Sequence, residues 1–114
     1  MSSYKDRAGM FRSSARLYLS NKKTYKEYQT GKVKEPDDRF LGFIKEDMQF
    51  VEKTLDEIKE KCGTAARLVV YLLYVENRTQ ENVAGEFRIT RRQLQHSLNR
   101  WMNTVFNDDD QQLA

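Results

Sequence analysis

The chain has 114 residues, of which 39% are hydrophobic and 32% charged, with a formal net charge of +3. This length fits a single core, because two domains would each sit near the size at which burial barely offsets chain entropy; no run approaches the about 18 apolar residues that a membrane span needs. One cysteine, Cys62, and one histidine, His96, rule out an internal disulfide and a Cys/His zinc set, so neither a structural metal nor a cofactor is expected.

The first residues, "MSSYKDRAGMFRSSARLYL", carry basic groups but no continuous apolar stretch of signal-peptide type, and a cytoplasmic location is the expectation. Charge is unevenly distributed. Residues 1–34 hold nine Lys/Arg against two acids, residues 35–62 hold five against nine, and residues 63–114 balance. Within that last segment Arg88, Arg91, Arg92 and Arg100 crowd together with no acid between 88 and 106, before Asp108, Asp109 and Asp110. An acid-free basic patch is the electrostatic footprint of a nucleic-acid binder, although a solvated helix face gives the same count.

Pro36 and five glycines are the only strong punctuation, and the long periodic stretches between them predict an all-α protein, a small bundle of four to six helices. Residues 4–29 place Met10, Phe11, Ala15, Leu17 and Tyr18, with Tyr25 and Tyr28 further on, at loosely helical intervals; "SNKK" at 20–23 leaves open one helix or two. The alternation of Tyr18, Tyr25 and Tyr28 with Lys22, Lys23 and Lys26 suits half-buried helix positions, or stacking and charge on a single strand of nucleic acid. Gly31 ends this segment, and "GKVKEPDD" reads as a loop in which Pro36 biases Glu35 away from helix.

Asp37 or Asp38 can cap a helix over 38–62. Along it Phe40, Ile44, Met48, Val51, Leu55, Ile58 and Cys62 form one apolar stripe at steps of three and four. On that stripe Cys62 reads as a core residue rather than a nucleophile. Gly63 is expected to reverse the chain in a left-handed conformation, with Thr64 as the next cap. "AARLVVYLLYVE", 65–76, is apolar nearly all round, as a helix buried in the middle of the bundle would be. Asn77 and Arg78 break it.

Thr79 then caps a short helix with Val83, Ala84 and Phe87 inward, "RIT" forms a second break plugged by Ile89, and Thr90 caps a helix starting at Arg91. This last helix buries Leu94, Leu98, Trp101 and Val105, with Met102 beside them; the spacing makes Trp101 a core residue rather than a stacking platform. The closing "NDDDQQLA", 107–114, reads as a disordered acidic tail.

The segment Thr79-Gln80-Glu81, Val83-Ala84, Phe87, Ile89-Thr90, Leu94 and Leu98 resembles the helix-turn-helix of sigma factor region 4 and of related small transcriptional regulators of phages and mobile elements. The likeness spans about twenty residues and, more loosely, the helix before them; it says little about residues 1–62. Arg88 stands where that family usually has the glycine of the turn, a position at which a positive φ costs an arginine some strain.

The resemblance implies sequence-specific binding of double-stranded DNA. The N-terminal turns of a recognition helix lie nearest the base edges. Arg91, Arg92, Gln93, Gln95 and His96 are therefore the expected base readers, arginine for guanine O6 and N7 and glutamine for adenine N6 and N7. Thr79, Gln80, Arg88, Thr90, Asn99 and Arg100 are expected on the DNA backbone. No nucleophile elbow, phosphate loop or metal-ligand series is present, and Asp47, Asp56 and Glu57 sit on the long helix as solubilising carboxylates, so enzymatic activity is not expected. A competing reading makes the bundle an adaptor, docking through helix 38–62 on RNA polymerase or another protein; the same helix suits a homodimer seam.

Overall fold

The computed structural model describes residues 6–32 and 37–113, with side chains as far as Asn107. Its elements are α1 (Arg7–Gln29), α2 (Asp38–Cys62), α3 (Thr64–Val70) extended by a π-helical turn (Tyr71–Val75), α4 (Gln80–Glu86) and α5 (Arg91–Leu113), with no strand among the described residues. The protein is an all-helical bundle, and none of these helices is long and apolar enough to cross a membrane.

α1 is one unbroken helix. Asp6 caps it by accepting from the Ala8 N–H, "SNKK" lies inside it because none of those residues breaks a helix, and Gly31 ends it at φ +75°. Asp37 caps α2, accepting from the Arg39 N–H at 3.0 Å. The expected loop centred on Pro36 lies outside the described residues.

α1 and α2 pack antiparallel. Arg7 donates to Glu57 at 2.7 Å, Ser14 to Asp47 at 2.7 Å and Tyr18 to Glu52 at 2.5 Å, while the Tyr28 and Phe40 rings meet 6.3 Å apart toward the other end. The main core gathers Phe11, Ala15 and Tyr18 of α1, Val51, Leu55 and Ile58 of α2, Val69, Val70 and Leu72 around the π turn, Val83 and Ala84 of α4, and Leu94, Leu98, Val105 and Phe106 of α5. Thr54 is the buried polar member of the interior, and its hydroxyl donates to the Phe50 carbonyl.

Several expectations need correction. Met10 and Leu17, which share the loosely helical spacing of the first segment, are 49% and 53% exposed, because only the Phe11–Ala15–Tyr18 face of α1 meets the core. Gly63 has φ +105° and ψ 168°, an extended glycine conformation and not the left-handed helical one; it occupies the cap position itself, and Thr64 is the first residue of α3 without a capping bond. The 65–76 helix is not buried all round: Leu68 is 46% exposed, and at Tyr71 the helix widens into the π turn, where the Glu76 N–H donates to the Tyr71 carbonyl five residues back. That wider turn brings Leu72, Leu73 and Val75 all into the interior. α5 runs from Arg91 to Leu113.

The far half of α5 fixes the near half. Phe106 lies between Phe11, ring centroids 6.1 Å apart, and the Arg7 guanidinium, 5.2 Å from its own centroid. The first turns of α5 bury only Leu94 and Leu98 and turn their other sides outward.

Candidate nucleic-acid interface

Thr79 begins α4 as expected, its hydroxyl accepting from the Asn82 N–H at 3.0 Å. Arg78, just outside, reaches Glu76 at 2.9 Å and Glu86 at 3.0 Å, clamping the end of the π turn to the end of α4. At the end of α4 the Arg88 N–H donates to the Gly85 carbonyl and the Ile89 N–H to the Ala84 carbonyl, the paired bonds of a Schellman closure. That closure needs a left-handed residue, and Arg88 takes the position at φ +58°, at a cost of about 1 kcal/mol for a side-chain-bearing residue. The corner thus takes the backbone shape that glycine adopts most freely, with an arginine in place. Ile89 is half-buried and plugs the gap between the helices.

The start of α5 is fixed twice. The Gln93 N–H donates to the Thr90 hydroxyl at 3.0 Å and the Thr90 N–H donates to Gln93 Oε1 at 2.9 Å, a reciprocal capping box. Gln80, half-buried on α4, accepts from Arg91 Nε at 3.3 Å and from Gln95 Nε2 at 2.9 Å. α4 and α5 are therefore held in register by side chains that sequence reasoning assigned to DNA.

These bonds sort the expected contacts. Gln93 has its amide oxygen in the cap, so a bidentate grip on adenine, which uses both the oxygen and the nitrogen of the amide, would cost the helix its capping box. Gln95 and Arg91 lean toward α4, the Arg91 guanidinium 4.0 Å from Glu81. Thr79 and Thr90 have their hydroxyl oxygens engaged at helix starts. Arg88, Arg92, His96, Asn99 and Arg100 are exposed, and among the described residues their side chains enter no hydrogen bond or ion pair. Arg92, His96 and Asn99 follow one another at steps of four and three on the side of α5 opposite Leu94 and Leu98, spanning about 10 Å along the axis. Asn103 continues that line and was missed by sequence reasoning; its place four residues beyond Asn99 was the available signal. Beside Arg92 and His96 opens a shallow depression of about 500 Å³, also lined by Ile89, Thr90, Gln93 and Ser97.

No protein-family model, no curated protein and no solved structure matches the chain.

The remaining chemistry is quiet. Cys62 Sγ donates to the Trp101 carbonyl at 3.8 Å, and burial pushes its thiol pKa up, which disfavours the nucleophilic thiolate. Trp101 and Met102 are half-buried against the core, with Val105 and Phe106 fully inside. Among the described residues no group of three or more His, Cys, Asp and Glu is gathered where it would hold a metal ion.

Proposed function

We propose that the protein binds double-stranded DNA sequence-specifically through α5 and acts as a transcriptional regulator of the helix-turn-helix kind. One observation carries the reading: Arg92, His96 and Asn99 form an exposed line on the first turns of a helix whose start is rigidly capped and whose residues 88–106 contain no acid. A helix about 10 Å across fits the major groove, about 12 Å wide, and enters it with its first turns nearest the bases.

In that pose Arg92 pairs with guanine O6 and N7, Asn99 with adenine N6 and N7, and His96 lies between them over the groove floor. Arg88, at the left-handed corner, and Arg100, on the flank of α5, meet phosphates. Arg91 and Gln95 act through Gln80 to hold the angle between the helices. A cytoplasmic location and an absence of catalysis accompany this role.

The test is a fluorescence-anisotropy titration of duplex DNA at two salt concentrations. With about two phosphates neutralised by Arg88 and Arg100, the affinity should fall about 12-fold between 50 and 200 mM salt. No measurable binding at the lower salt would sink the proposal.

A further inference from the structure

The depression of about 500 Å³ beside Arg92 is walled by the first turns of α5 and by the turn that precedes them. Arg92, Gln93 and His96 make it polar, and Ile89 is the one aliphatic side chain among its described lining residues. Ile89 is half-buried: part of it packs against the core between α4 and α5, and the rest opens into the depression. Thr90, also in the lining, has its hydroxyl oxygen engaged in the capping box, so its methyl group is what it can offer to a ligand. A small apolar seat thus stands within a basic, polar surface.

Its place relative to the other side chains is specific. Around α5, Arg92, His96 and Asn99 lie within about 60° of one another, and Gln93 and Ser97 carry the depression to one flank of that line, away from Arg91 and Gln95, which lean toward α4. Arg100 falls on the same flank, about 20° from Gln93. The seat is therefore bordered by the proposed base readers on one side and by a proposed phosphate contact on the other.

We infer that Ile89, with the Thr90 methyl, receives the 5-methyl group of a thymine next to the guanine paired with Arg92, and so adds a thymine to the preferred site. The inference rests on the reading of α5 as a recognition helix. Of the four bases, thymine alone shows an apolar group in the major groove, beside its O4 acceptor and on the backbone side of it. That order, base edge, methyl, then phosphate, is the order of His96, Ile89 and Arg100 across this flank. A His96 ring N–H is a donor for O4; cytosine would set its own N4 donor against that N–H and leave the apolar seat unfilled. The depression is too shallow to enclose a small molecule, which binding sites bury over most of its surface, whereas a base edge on the groove floor needs cover on one side only.

The test uses the full chain and the duplex that it selects from a random library. Each thymine of that duplex is replaced in turn by deoxyuridine, which lacks only the methyl group, and binding is followed by fluorescence anisotropy. One replacement, within about two base pairs of the guanine read by Arg92, should weaken binding about four-fold, the worth of one buried methyl group. In Ile89→Ala the difference between thymine and uracil at that position should disappear; this ratio is insensitive to any loss of folded protein, and Ile89→Val, which keeps most of the packing, should retain part of it. A selected duplex whose affinity no uracil replacement changes would overturn the inference while leaving DNA reading by α5 in place. So would a thymine preference that Ile89→Ala leaves intact. A library that yields no enriched duplex would overturn the recognition-helix reading and this inference with it.

Discussion

Thr90 and Gln93 exchange hydrogen bonds in both directions across the first turn of α5, at 2.9 and 3.0 Å. The pair satisfies two backbone N–H groups that the helix itself leaves open, and losing a cap costs about 1 kcal/mol. Gln93→Ala should lower the unfolding free energy by about that amount in urea titrations. Gln93→Glu keeps the box, since a carboxylate accepts the same bond, yet places an acid beside Arg92. Its stability should match the wild type while its DNA affinity falls several-fold. A base-reading role for Gln93 would instead make the alanine variant lose preference at one base pair with unchanged stability.

Arg88 holds a left-handed corner that glycine adopts freely. Arg88→Gly relieves roughly 1 kcal/mol of backbone strain but adds unfolded-chain entropy, so thermal denaturation should show a stability change between zero and about +1 kcal/mol. On DNA the same variant should bind more weakly to every sequence alike, with the salt slope reduced by about 1. Undiminished affinity with an unchanged slope would take Arg88 off the phosphate backbone.

Burial, followed by the hydrogen bond to Glu52, pushes the Tyr18 phenol up to about 12 from its ordinary 10.0. Below pH 10 the folded and unfolded chains both keep this proton. Between pH 10 and 12 the unfolded chain loses it first, so stability falls with rising pH, by about 1 kcal/mol at pH 11. Denaturant titrations at pH 8 and pH 11 should show this loss in the wild type and a smaller one in Tyr18→Phe. An equal alkaline loss in both proteins would mean that the phenol is not held neutral by the fold.

α2 was legible because its apolar residues recur at steps of three and four over many turns, and the caps at Asp37, Thr79 and Thr90 were legible because short polar side chains stood immediately before such patterns. α1 was harder. Met10 and Leu17 and the core residues Phe11, Ala15 and Tyr18 trace two different helical stripes, and the sequence does not say which one meets the core. The π turn was not legible, since a helix apolar nearly all round carries no register and its widening follows from tertiary packing around Leu72, Leu73 and Val75. In the candidate interface the exposed positions of Arg92 and His96 followed from Leu94 and Leu98. The Thr90–Gln93 pairing was spelled out in the sequence as a capping box, but a glutamine on a recognition-like helix drew the other reading. The link from Gln80 to Gln95 joins residues fifteen apart through the turn, and local patterns do not specify it.

Arg92 and Arg100 are exposed on the same helix and carry the same charge, so any difference between them reports geometry rather than electrostatics. Arg100→Ala should weaken binding to all sequences to a similar degree. Arg92→Ala should cost about 1–3 kcal/mol on the preferred site alone, relaxing one base pair.

Selection of bound duplexes from a random library, followed by the same selection with Arg92→Ala, tests the central claim most directly. The wild type should enrich a defined motif containing a guanine whose enrichment disappears in the variant, and a two-fold dimer should make that motif palindromic. A library that emerges unenriched from repeated rounds, or a motif identical in both proteins, would contradict base reading by Arg92 on α5.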